Sequence, residues 1–133
     1  MSYILFATYG NSEANKAAKI LTEEGYTVVV TSDGKEALEV LEKDTDLPAV
    51  IFTHLMLPNC DGLELTCTFR RDYPRATTKI LMGTVRCANS FACHDWNWPL
   101  EGFVMCPYSA EQLALSVEQL LHRDISPFRS PHI

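Results

Sequence analysis

Short apolar runs alternate with amphipathic stretches along almost the whole chain, and this alternation constrains the fold more than any other feature. Parallel strands covered on both faces read as continuous apolar runs, and each parallel pair needs a crossover that is usually a helix. Tyr3 to Thr8 is the first such run. Asn11 or Ser12 can cap the helix that follows, where Ala14, Ala17, Ala18 and Leu21 recur at helical spacing. Gly25 ends it, and Thr27 to Thr31, β-branched throughout, predicts a second strand. Asp33 and Glu36 stand at capping-box spacing before a second helix whose buried stripe is Ala37, Leu38 and Leu41.

Ala49 to Thr53 predicts a third strand, closed by a loop containing Pro58. A third helix is expected from about Asp61 to Asp72, a fourth strand from Lys79 to Met82 and a fifth from Phe103 to Met105. Ser109 and Gln112 form another capping box, ahead of a last helix with Leu113, Val117, Leu120 and Leu121 on its apolar face. Between Val85 and Leu100 no clean period survives, so the fourth helix is expected to be short or irregular, ended by Trp96-Asn97-Trp98-Pro99. Five strands and their crossovers make a three-layer α/β/α sandwich that binds ligands beyond the carboxyl ends of its strands. Thr8, His54, Thr84 and Cys106 fall at those ends.

Composition narrows the class of function. The 133 residues suit one domain, and the net charge of −6 without a dense basic stretch argues against nucleic acid as a partner. No run approaches the ~18 apolar residues of a membrane span, and the opening residues lack the basic region of a signal peptide. The cysteines, five in number and without a CxxC pair, are therefore expected to be reduced thiols of a cytoplasmic protein.

The order and spacing of these segments resemble the receiver domain of two-component signalling, from Tyr3 to about Leu121. The strongest local match is His54-Leu55-Met56-Leu57-Pro58-Asn59-Cys60-Asp61-Gly62. Receivers carry their phospho-accepting Asp four residues before such a Pro and open the third helix with an Asp-Gly pair. Gly102 to Tyr108 matches the end of the family's fifth strand, where a Lys normally precedes the Pro. The separations of His54 from Thr84 and from Cys106 are those expected between the acceptor, the switch hydroxyl and that Lys. The resemblance implies a flavodoxin-like sheet of order 2-1-3-4-5, a receiver-like domain over 1–122 and a tail or linker stump over 123–133. It also implies a cis Cys106–Pro107 bond.

The family's chemistry does not carry over. Receivers end the first strand with two acidic residues that hold Mg²⁺, and here Thr8 and Tyr9 align with them. The acceptor position is His54 and the lysine position Cys106, so only Thr84 matches. Mg²⁺ needs oxygen ligands that normally include carboxylates, and phosphoryl transfer needs that metal and positive charge. Mg²⁺ binding is therefore not expected, and no residue is assigned a catalytic role. The expectation is a phosphorylation-independent pseudo-receiver, a protein-interaction module in bacterial signal transduction that docks a signalling or regulatory protein. Trp96, Trp98, Phe103 and Tyr108 are the candidates for its partner face. The alternative is a metal, thiol-redox or small-ligand sensor that reuses His54 and Cys106. Cys60, Cys87, Cys93 and His94 are the further residues a zinc site would draw on, but they lack zinc-knuckle spacing, so no metal ligand is assigned.

Overall fold

The computed structural model describes residues 3–43, 46–85 and 100–123. Five parallel strands, β1 (Ile4–Ala7), β2 (Val28–Thr31), β3 (Val50–His54), β4 (Lys79–Val85) and β5 (Gly102–Cys106), form one sheet in the order β2-β1-β3-β4-β5. Among the described residues four helices cover it: α1 (Ser12–Glu23), α2 (Gly34–Lys43), α3 (Gly62–Asp72) and α4 (Ala110–Arg123). The irregular helix expected between Val85 and Leu100, with Trp96 and Trp98, lies outside the described residues, as does the chain beyond Arg123. The last helix itself runs through Arg123, one residue past the boundary expected for the domain.

Alternation of side chains along each strand builds two cores. Ile4, Phe6, Val50 and Phe52 face one way and pack with Ala14, Ala17 and Leu21 of α1 and Leu113 and Val117 of α4. Leu5, Ala7, Ile51 and Ile80 face the other way, against Ala37 and Leu41 of α2 and Leu65 and Phe69 of α3. Every residue of β1 and β3 is buried, which is why both runs are apolar without alternation.

Local signals set most helix ends. Asn11 caps α1 by accepting from the Ala14 amide at 2.7 Å. Gly25, at φ +102°, closes α1 in a Schellman motif: its own amide donates to Thr22 O at 3.0 Å and the Tyr26 amide to Leu21 O at 3.1 Å. Asp33 accepts from the Glu36 amide, while the Glu36 carboxylate reaches Ser32, one residue earlier than a standard capping box would place it. Ser109 and Gln112 form the full reciprocal box ahead of α4. The Cys106–Pro107 bond is cis, as the resemblance implies.

At the carboxyl edge the backbone is packed too tightly for a side chain at two helix starts. A Cβ on Gly34 would lie 1.8 Å from the Cys60 carbonyl oxygen, and one on Gly62 would lie 2.3 Å from that of His54. Gly62→Ala is therefore expected to destabilise the fold by about 1–3 kcal/mol, since backbone must move to admit the methyl group. Gly102→Ala, whose methyl would meet only Leu81 at 3.5 Å, is expected to be neutral or slightly stabilising. Urea unfolding of both variants checks the contrast, and equal effects would refute it.

Candidate functional site

The strand ends bring Thr8, His54, Thr84 and Cys106 to one edge of the sheet. Thr8 follows β1 and is buried, with its amide donating to Thr31 O at 3.0 Å. Tyr9 next to it is 67% exposed, so it lies at the rim and does not line the interior. His54 is the last residue of β3 and Cys106 the last of β5, while Thr84 is buried near the end of β4.

His54 shares its face of β3 with Phe52 and points toward the α1/α4 layer. Its ring meets the Phe52 ring edge-on, with centroids 5.1 Å apart. Its Nε2 lies 2.6 Å from the Tyr108 hydroxyl, and the two rings stack with an interplanar angle of 18°. Space for the imidazole comes from β4, where Gly83 is the register partner of His54. A Cβ on Gly83 would come within 2.7 Å of His54 Cδ2 and 3.0 Å of Phe52 Cζ, so any larger residue there would push the ring aside.

Tyr108 is where the structure departs most from the sequence expectation. As a partner-face candidate it should be exposed, yet it is 6% exposed and belongs to the α1/α4 core. The cause is its place between Pro107 and the cap residue Ser109, which turns the phenol in under α4. Phe103 does stand partly exposed on β5, and Met105 beside it on the same face does too. Glu13, which the sequence reading assigned no role, accepts from the Ala110 amide at 2.8 Å and so ties α1 to the head of α4.

Burial governs the titratable groups at this edge. It holds the His54 imidazole below its ordinary value and raises the Cys106 thiol. It also raises the Tyr108 phenol, with smaller contributions from Cys106 and Glu13. All three groups are therefore neutral near pH 7. In the tautomer whose ring proton sits on Nδ1, Nε2 is the acceptor of this 2.6 Å bond and the phenol its donor.

These side chains do not fit Mg²⁺. Two hydroxyls, an imidazole and a thiol replace the carboxylates a hard cation needs, and Glu13 is committed to the Ala110 amide. Among the described residues no three Asp, Glu, His or Cys side chains converge in a way that could hold a metal. Cys60 is buried and Cys67 exposed, each a free thiol, while Cys87, Cys93 and His94 lie outside the described residues. Two clefts, of about 410 and 250 Å³, open at the opposite edge of the sheet, beside Pro48, Lys79 and Leu121 and beside Tyr3, Tyr26 and Leu121. Neither reaches His54.

Comparison with known proteins identifies the scaffold. Residues 12–118 match the response regulator receiver domain family. This chain is a receiver domain. It is 31% identical to the response regulator ArlR of Staphylococcus epidermidis over 104 residues, 77% of this chain and 45% of that protein. It is 31% identical to the transcriptional regulatory protein TcrA of Mycobacterium tuberculosis over 110 residues, 83% of this chain and 42% of that protein. The receiver thus spans less than half the length of these relatives. Among solved structures, the receiver domain of NtrX from Brucella abortus superposes with a TM-score of 0.74 at 22% identity, covering 90% of this chain and 98% of that one. A response regulator receiver domain from Clostridium thermocellum gives 0.76 at 15% identity, covering 94% and 98%. Receiver domains are signalling modules that act through protein partners and are generally not enzymes. No helix among the described residues of this receiver is long and apolar enough to cross a membrane.

The buried neutral imidazole has a consequence for stability. Unfolded, His54 takes up a proton around its ordinary value of ~6.5, whereas the folded chain resists it. The unfolded state therefore binds more protons as the pH falls below that value. His54's contribution is complete above it and is lost on acidification, by at most about 1.4 kcal/mol per pH unit. His54→Gln should remove this component, making the variant's stability flatter than wild type between about pH 5 and pH 7. Identical slopes in urea unfolding would mean that His54 is not held neutral.

Proposed function

We propose that this receiver works without a phosphoryl switch, as a protein-interaction module in bacterial signal transduction that docks a cytoplasmic signalling or regulatory protein. The observation that carries the reading is the side chain at the acceptor position. His54 is buried, turned toward the α1/α4 layer and hydrogen-bonded to Tyr108, and among the described residues no three Asp, Glu, His or Cys side chains converge that could hold a metal. Phosphoryl transfer relies on a metal and fixed positive charge to stabilise its transition state, and Cys106 supplies no charge where the family has Lys. Thr84, the remaining match to the family's switch, is left without a phosphoryl group to follow.

Docking on this reading uses the exposed face of β5, with Phe103 and Met105. Trp96 and Trp98, which the sequence also nominates, lie outside the described residues. Tyr108 is not part of the face, because its side chain is enclosed by α1 and α4.

The pocket lacks several charged groups together, so restoring one should not restore chemistry. Incubated with Mg²⁺ and a small-molecule phosphodonor, both the wild-type receiver and His54→Asp should keep their intact masses. An acid-labile phosphoryl adduct on wild type would sink the reading. An adduct on His54→Asp alone would place the defect in the acceptor alone and leave the metal site intact.

A further inference from the structure

Tyr108 links the acceptor position to the start of a helix. Its hydroxyl is on His54 at the end of β3, and the next residue, Ser109, caps α4. The same helix start is held from the other side by Glu13 of α1, through the Ala110 amide. A change at His54 Nε2 therefore reaches the α4 head through one side chain and one peptide bond.

We propose that His54 and Tyr108 form a proton-operated latch: with the imidazole neutral the phenol pins the head of α4 to the sheet, and a proton on Nε2 releases it. The step is a simple proton uptake from solvent. Nε2 changes from acceptor to donor, so two donors face each other and the Tyr108 O–H must find another acceptor or move away. Among the described residues the buried imidazolium also has no counter-ion. Among the described residues, the titratable groups on the elements packed around it are few. Cys106 and Tyr108 are neutral, Glu13 is engaged by the Ala110 amide and Lys16, and Asp61 at the head of α3 is engaged by the Glu64 amide. β1 and β4 present Thr8, Gly83 and Thr84 at this edge, none of them charged. A charged ring without a partner is expensive to keep buried, so relief comes by displacing the phenol or the imidazole. Both motions act on the residues just before Ala110.

The latch rests on the reading of His54 as a side chain that is not phosphorylated. Its test uses no phosphodonor, so its failure leaves that reading standing. The full chain is titrated from about pH 7.5 to about pH 4.5, bracketing the usual imidazole value, while imidazole and amide NMR signals are followed. At the start the His54 ring should carry its proton on Nδ1. On acidification the amides of Ser109, Ala110 and Gln112 should move with the His54 midpoint. In Tyr108→Phe that linked movement should be lost, falling to the level seen on α2, while the ring still titrates. Should that variant fail to fold, His54→Gln serves instead and should lose the same movement. Glu13→Gln, whose amide oxygen can still accept from Ala110, should retain it. The latch is overturned if the helix-head amides ignore His54 in wild type. It is equally overturned if they follow it undiminished in Tyr108→Phe, or if the fold melts globally before the ring titrates.

Discussion

A strand covered on both faces has no water to offer its polar groups, and β3 is such a strand from Val50 to His54. The constraint does little at its apolar residues and a great deal at its last one. An imidazole placed there must be neutral, must find its partner inside the protein, and must be given room by its neighbours. The structure meets each demand with a named residue: Tyr108 supplies the hydrogen bond, Gly83 supplies the space and Phe52 supplies the packing surface. Among the described residues, the result is a buried imidazole at the strand end, packed on Phe52 and bonded to Tyr108, at the position where the family resemblance implies an acidic acceptor.

The same edge is held together by close backbone approaches that spare few alternatives. Gly62 lets the head of α3 sit directly on the His54 carbonyl, and its amide donates to Leu55 O at 2.8 Å. Gly34 does the same for α2 against Cys60, and Asn59 bridges the two loops from a left-handed backbone by donating to Asp33 at 2.7 Å. Helix starts α2, α3 and α4 are thereby positioned around the strand ends, with α4 tied twice, by Tyr108 and by Glu13. Helix starts anchored in this way suit a module whose surface is presented ready for a partner.

Much of this was legible in the residues. The apolar runs located all five strands, most plainly β1 and β3, where burial on both faces demands them, and Asn11, Gly25, Asp33, Asp61 and Ser109 marked helix ends through local geometry that involves only near neighbours. The fourth strand was read short, ending at Met82, because Gly83 weakens the β pattern. Its value lies across the sheet, against a ring whose position depends on the fold. Tyr108 and Glu13 were hidden for the same reason: one contacts a residue 54 positions away and the other a residue 97 positions away. An exposed aromatic and a buried one look alike in sequence, so Tyr108 was assigned to a docking face while Phe103 was placed on it with no better local signal.

The account stands or falls on whether the pocket responds to a phosphoryl group. A two-dimensional amide spectrum of the wild-type chain, recorded before and after addition of Mg²⁺ and a small-molecule phosphodonor, asks this at every residue. The amides of Thr8, His54, Thr84 and Cys106 should stay where they are, and those of β5 and α4 with them. Shifts at those strand ends that spread into β5 and α4 would reveal a working phosphoryl switch and contradict the account.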